Sequence, residues 1–331
     1  MKKKLLVIFT GGTIAMKVDP LLHAAIPALN SDEIMAMMDN IEEIVDVEPV
    51  NFGNLPSPHI LPSHMMELAN IINDNIYRED IHGVIITHGT DTLEETAYFL
   101  DLIIDQPKPI IIVGAMRNNS ELGYDGSSNL SAAICTASSP RALNKGVLVV
   151  MNNEVNAAGE VVKTHTLSLD TFKSPEFGPL GVVDNDEVIF YRDIVNRKHI
   201  KTNDMEEKVG LIKVVSGMGS DIIDFYIDSG YKGIVLEALG RGNIPPQMIE
   251  GVERAISKGI PIVMVSRCHT GRVLDTYGYK GGGKHLRDLG VIFGGNLPGH
   301  KARIQLMLIL GKTDELREIK DLFETDNLYD S

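Results

Sequence analysis

The sequence predicts an α/β protein in which short buried strands alternate with amphipathic helices, and three observations carry that prediction. Apolar, mostly β-branched runs of strand length recur at Leu5 to Phe9, Val84 to Ile86, Pro109 to Val113 and Gly146 to Met151. Helical apolar spacing fills the intervals, as in Met66, Leu68, Ala69, Ile71 and Ile72, or in Leu93, Ala97, Leu100 and Ile104. After Arg192 to Lys208, a stretch rich in charge and Asn with no period, the same rhythm resumes at Val209 to Val215, Gly233 to Leu239, Pro261 to Val265 and Gly290 to Phe293. Continuously apolar strands belong to parallel sheets covered on both faces. The expected organisation is a larger α/β domain over 1–191, a linker over 192–208 and a smaller α/β domain over 209–331.

The first turn, Thr10-Gly11-Gly12-Thr13-Ile14-Ala15, ends the opening strand. Met16 to Leu29 contains Pro20 and Pro27, shows no period and reads as a loop over the site, able to act as a lid. Ser31-Asp32-Glu33 caps a helix bearing Ile34, Met35 and Met38, with the methionines as core filler. Val45 to Phe52 is a second strand running into a rigid polar turn, Gly53 to His59. Pro62 opens the next helix. The stretch from Asn129 to Ala137 is helical after a loop through Asp125-Gly126, and Asn152 to Tyr191 is irregular, with hairpins or loops at Val161 to Thr166 and Phe172 to Ser174. Pro246 to Ser257 and Ala302 to Leu310 are helices of the second half.

At 331 residues the chain is long enough for two domains, and 44% hydrophobic against 23% charged residues sets it apart from disordered chains. Asp and Glu number 45 against 31 Lys and Arg, giving a net charge of −14. Such a surface repels phosphate backbones and anionic lipid, so neither nucleic acid nor membrane is an expected partner. The apolar run after Lys2-Lys3-Lys4 is short and breaks into Thr-Gly-Gly instead of a cleavage site, so no signal peptide is expected and the cytoplasm is the expected location. Cys135 and Cys268, far apart and outside any CxxC, are expected to be two buried, reduced thiols.

The chemistry is narrowed by what the turns contain. The first turn has no GxGxxG, and the chain has no GxxxxGK[ST], HExxH or GxSxG, so no cofactor and no metal is expected. His88 reads as a structural imidazole packed behind its turn and bonded to backbone. The stretch Ile86-Thr87-His88-Gly89-Thr90-Asp91-Thr92 joins a buried strand to a helix. Its simplest reading is a helix cap by Thr90, Asp91 and Thr92, with Glu94 and Glu95 in the first turn. The hydroxyl-bearing turn at Thr13 changes that reading: two such turns at strand ends supply one Thr to attack and another to handle water or a proton. A threonine hydroxyl needs a proton acceptor, which a desolvated lysine can provide; Lys163, beside Val161 and Val162, is the candidate, with Asp91 as its partner.

At these residues the sequence resembles the bacterial-type L-asparaginase/glutaminase family. Thr10 to Ala15 and Ile86 to Thr92 match its two signature motifs nearly letter for letter, and the likeness runs through Val113 to Arg117, Gly146 to Asn152, Lys163-Thr164, Thr171 to Ser174 and Gly178 to Gly181. The resemblance implies a larger N-terminal Rossmann-like domain and a smaller C-terminal flavodoxin-like one. It implies an L-asparaginase that hydrolyses L-asparagine to L-aspartate and ammonia through a threonine acyl-enzyme, with minor glutaminase activity. Thr13 is then the nucleophile, Thr90, Asp91 and Lys163 handle protons and water, and Thr90 N–H with Ala115 stabilises the oxyanion. Ser57 grips the substrate α-carboxylate and Asp91 the α-amine. A homo-oligomer, dimer or tetramer, is implied, with Asn243 matching a residue the neighbour contributes.

Three positions depart from the family pattern. No Tyr precedes Tyr77, although the family's loop carries one; Ser57 is followed by Pro58-His59 where many members have Gln-Asp; and Tyr277 and Tyr279 stand in the stretch that usually supplies a neighbour's acidic residue. Two rival functions share the motifs: an asparaginase-like subunit of a tRNA-dependent amidotransferase, and a non-catalytic amino-acid-binding sensor.

Overall fold

The computed structural model describes residues 2–19, 22–27, 31–35, 44–194 and 197–325. The chain divides into two compact units, Met1–His199 and Ile200–Ser331. The first is built on an eight-stranded sheet. Its parallel part comprises β1 (Lys3–Gly11), β4 (Val45–Leu55), β5 (Ile81–Thr87), β6 (Ile110–Val113) and β7 (Val147–Met151), in the spatial order 7-6-5-1-4. These strands are apolar because both of their faces are covered: Leu5 to Ile8, Val84 to Ile86 and Ile111 to Val113 are all fully buried. Helices α2 (Pro62–Ile76), α3 (Leu93–Ile103) and α4 (Gly126–Ser138) supply the cover. Parallel strands deliver their carboxyl ends to one edge, so the turns after β1, β4, β5 and β6 open on the same side.

The sheet continues beyond β7 through Asn152 to Tyr191, the stretch expected to be irregular with hairpins or loops. Strands β8 (Glu154–Ala157), β11 (Gly181–Asp184) and β12 (Glu187–Phe190) extend it antiparallel, in the order 12-11-8-7. The cause is local turn chemistry. Asn152 and Asn153 adopt φ of 51° and 61°, and Asn185 and Asp186 adopt 48° and 60°, the left-handed pairs that close two-residue hairpins. A short hairpin, β9 (Val162–Lys163) with β10 (Phe172–Lys173), lies apart from the main sheet.

Met16 to Leu29 differs from its expected irregular loop. Met16–Asp19 (β2) and Ala24–Pro27 (β3) pair as an antiparallel hairpin, with Met16 opposite Pro27 and Asp19 opposite Ala24. Its turn is made by Asp19, whose carboxylate accepts the Leu22 amide at 2.9 Å while its carbonyl accepts that of His23. Pro20 and Leu29 lie outside the described residues, as does Met38, expected on the helix now seen as α1 (Ser31–Met35).

The second unit carries a four-stranded parallel sheet of β13 (Val209–Lys213), β14 (Gly233–Ala238), β15 (Ile262–Ser266) and β16 (Ile292–Phe293) in sequential order. Helices α5 (Asp221–Asp228), α6 (Ile249–Ser257), α7 (Gly283–Leu289), α8 (Gly299–Lys312) and α9 (Leu316–Glu324) complete it, and Ile212, Leu236, Val252, Met264 and Leu286 are central to one of its cores. The fold is therefore two α/β units, a large parallel-rich sheet and a smaller parallel one. The thiols depart from expectation: both are free, but Cys268 is exposed on the loop after β15 and Cys135 is only half-buried on α4. No helix among the described residues is long and apolar enough to cross a membrane.

Candidate active site

The candidate site lies where the first unit's strand-end turns meet. The turn after β1 has Gly12 at φ 83°, ψ −176°, a conformation that side-chain-bearing residues hardly adopt, followed by a single 3-10 turn over Thr13–Ala15. A β-carbon on Gly12 would stand 2.3 Å from the α-carbon of Gly89, so this backbone lies directly against the turn after β5. That contact brings the half-buried Thr13 turn beside the turn of Thr90.

Ser57, following β4, holds the second turn from another side. Only 4% exposed, its hydroxyl accepts the Asp91 amide at 3.1 Å and its carbonyl accepts the Thr92 hydroxyl at 2.8 Å. The turn after β6 closes a third side: a β-carbon on Gly114 would meet the His88 carbonyl at 2.6 Å and the Thr90 methyl at 3.3 Å, and Ala115 next to it is fully buried.

The side chains of Thr90, Asp91 and Thr92 serve partners other than the N-terminus of α3. Thr92 occupies the cap position of α3 without a side-chain cap bond, and its hydroxyl goes to Ser57 instead. The Thr90 and Asp91 side chains instead meet Lys163, whose ammonium donates to Thr90 Oγ1 at 2.9 Å and to Asp91 Oδ1 at 2.7 Å. The lysine side chain is 16% exposed and that of Asp91 62% exposed, so the pair runs from a sheltered hydroxyl out to solvent. Asp91, Glu94 and Lys163 to Thr166 line a cavity of about 310 Å³ at this point.

His88 sits behind the turn, fully buried, as its sequence context suggested. Nδ1 donates to the Gly89 carbonyl at 2.7 Å, and in the neutral ring Nε2 accepts the Thr96 hydroxyl at 2.9 Å. Burial holds its pKa down at about 4, the Gly89 carbonyl offsetting only part of the effect. The imidazole is thus neutral at pH 7 and fully engaged in holding the turn.

Sequence reasoning missed one piece of the scaffold. Asp125, read as part of a loop, accepts the Met116 amide at 3.0 Å and the Arg117 amide at 2.9 Å, while Asn129 donates to the Gly114 carbonyl at 3.1 Å and to Asp125 at 2.9 Å. These two residues, four apart at the start of α4, fix the path of the Gly114–Arg117 turn; their spacing on one helical face was the available signal. Of the candidate residues, Thr13, Ser57, Thr90, Asp91 and Ala115 belong to this group of turns, and Lys163, on β9, reaches it through its ammonium. Asn243 belongs to the second unit, on the turn closed by its bridge to Leu239.

Comparison with known proteins agrees with this architecture. The family model described as asparaginase, N-terminal, matches residues 4–196, and that of the glutaminase/asparaginase C-terminal domain matches 208–323. An L-asparaginase of Bacillus licheniformis is 36% identical over 98% of this chain and 99% of its own. A glutamyl-tRNA(Gln) amidotransferase subunit of Methanopyrus kandleri is 34% identical over 97% of this chain and 73% of its own. The crystal structure of a probable cytoplasmic L-asparaginase from Campylobacter jejuni superposes with a TM-score of 0.87 at 32% identity, covering 97% of this chain and 99% of that one. The class is that of two-domain α/β amidohydrolases. Within it, the chain belongs to the asparaginase family.

Proposed function

We propose that the protein is an L-asparaginase, hydrolysing L-asparagine to L-aspartate and ammonia through a threonine acyl-enzyme, with minor action on L-glutamine. The observation that carries this reading is the Lys163 ammonium shared between Thr90 Oγ1 and Asp91 Oδ1 beside the Thr13 turn. In this mechanism Thr13 Oγ attacks the side-chain amide carbon. The C–O bond forms, the C–N bond breaks, and ammonia departs with the proton displaced from the hydroxyl, leaving a β-aspartyl ester. Water then attacks the ester: its oxygen bonds the acyl carbon, the ester C–O bond breaks, and the proton it sheds passes by way of the Thr90 hydroxyl, held by the Lys163 ammonium, to the Thr13 oxygen.

The Thr90 amide and the Ala115 turn stabilise the oxyanion in both steps, on backbone fixed beforehand by Asp125 and Asn129. Because the Ser57 hydroxyl accepts the Asp91 amide, its own proton is free to donate to the substrate α-carboxylate. Asp91, reaching toward solvent, receives the α-ammonium. The test is ammonia release from asparagine and glutamine by the wild type, Thr13→Ala and Thr90→Val. Full activity in either variant removes the mechanism.

The same reading has the protein act in the cytoplasm as a homo-oligomer, dimer or tetramer, with Asn243 of one copy completing the site of another. Sizing of the pure protein and cell fractionation check these points. The likeness to an amidotransferase subunit supports a second reading, in which the released ammonia feeds a partner acting on tRNA. Ammonia release that appears only with a partner chain, or tRNA that co-purifies, selects it.

A further inference from the structure

The Tyr124 hydroxyl reaches 110 positions back along the chain to donate a 2.9 Å hydrogen bond to the carbonyl of Ile14, the residue directly after Thr13. The 3-10 turn of Thr13 is held from within by few bonds, Ala15 N–H to the Gly12 carbonyl at 2.9 Å and Met16 N–H to the Thr13 carbonyl. Ile14 is fully buried, so its carbonyl requires a protein partner, and Tyr124 is that partner. The loop that carries the tyrosine also grips the strand after the turn: Asn119 N–H donates to the Met16 carbonyl at 3.1 Å, and Val18 N–H donates to Ser120 Oγ at 3.0 Å. The ring itself lies over Gly126, where a β-carbon would fall 2.1 Å from the phenol oxygen and 2.2 Å from Cζ. Burial, with the Asp125 charge adding to it, raises the phenol pKa, so the hydroxyl stays protonated and donating.

We propose that Tyr124 is a positioning residue for Thr13, holding the Ile14 carbonyl so that the neighbouring Thr13 hydroxyl keeps the direction of attack on the amide carbon. The inference rests on the amidohydrolase reading above. A turn with so few internal bonds pivots when one external anchor is lost, and reacting groups displaced by a fraction of an ångström lose rate while substrate binding, made by other turns, persists.

Steady-state kinetics on asparagine, with thermal unfolding in parallel, test it in the full-length protein. Tyr124→Phe removes only the oxygen. Its kcat is expected to fall about tenfold with KM held within about twofold, and its Tm to fall by no more than about 3 °C. Gly126→Ala keeps the tyrosine but displaces it, and is expected to show the same loss of kcat; the double variant is no slower than the slower single. A Tyr124→Phe enzyme with wild-type kcat, a loss confined to KM, or a loss that only follows the folded fraction overturns the proposal. A wild type inactive on both amides sinks the amidohydrolase reading and this role with it, whereas an active wild type with an unaffected Tyr124→Phe sinks the role of Tyr124 alone.

Discussion

Gly12 and Gly89 pack backbone against backbone, leaving no room for a side chain between the turns that end β1 and β5. The two turns that carry Thr13 and Thr90 are neighbours because Gly12 has no β-carbon, while a β-carbon on Gly89 would instead strike Ser57, 2.8 Å from its Cβ. Gly12→Ala places a methyl 2.3 Å from the Gly89 α-carbon and forces alanine to a φ of 83°. The expected cost is about 3 kcal/mol or more in stability, with ammonia release down at least about a hundredfold. Urea unfolding and an ammonia assay check both.

Lys163 and Asp91 form an ion pair whose carboxylate faces solvent, so its worth to stability is small. Its worth to the reaction is expected to be large. Lys163→Met should lower kcat by about 10² to 10⁴ while unfolding free energy changes by less than about 1 kcal/mol. Asp91→Asn, of nearly the same shape, should also raise KM, because the α-ammonium loses its counter-charge. Loss of fold in either variant, seen by circular dichroism, would contradict this division.

His88 makes stability depend on pH in a defined window. Its folded pKa is held down at about 4 by burial, against an ordinary value of 6.5, so between those values the unfolded chain carries a proton the folded chain refuses. The contribution to stability is complete above pH 6.5 and is lost progressively as pH falls to 4, by roughly 3 kcal/mol in all. Urea titrations on either side of that window measure it. His88→Gln is expected to be less stable at neutral pH, since it breaks the bond with Thr96, yet to lose less on acidification than the wild type.

Asp101, only 7% exposed, accepts Val147 N–H and Arg197 Nε, each at 2.8 Å, tying the segment after β12 to the sheet. Arg197→Met removes the guanidinium from that carboxylate. The expected loss is about 2 to 4 kcal/mol of stability, read by urea unfolding, with KM for asparagine unaltered because the pair lies outside the group of turns around Thr90.

Much of this was legible in the residues. The apolar runs announced their strands because burial on both faces leaves no polar alternation, and the Thr13 and Thr90 turns stood out as hydroxyls placed directly after such runs. The hairpins at Asn152-Asn153 and Asn185-Asp186 carried a signal in their turn residues but reverse a sheet whose other strands run parallel. The β2–β3 hairpin carried less, since Met16 to Pro27 lacks alternation and its turn depends on the Asp19 side chain. Exposure of Cys268 was not legible, because a thiol's burial is set by what packs over it.

The chemistry proposed for this protein, two threonines, a lysine and the Asp91 carboxylate, is written in short stretches where strand, turn and residue type coincide, so local pattern suffices to find it. That Lys163 reaches Thr90 across 73 positions, Ser57 reaches Asp91 across 34 and Tyr124 reaches Ile14 across 110 is a different kind of fact. Such contacts follow from strand order and from the close approach of glycine backbones, and neither is encoded at any one place along the chain.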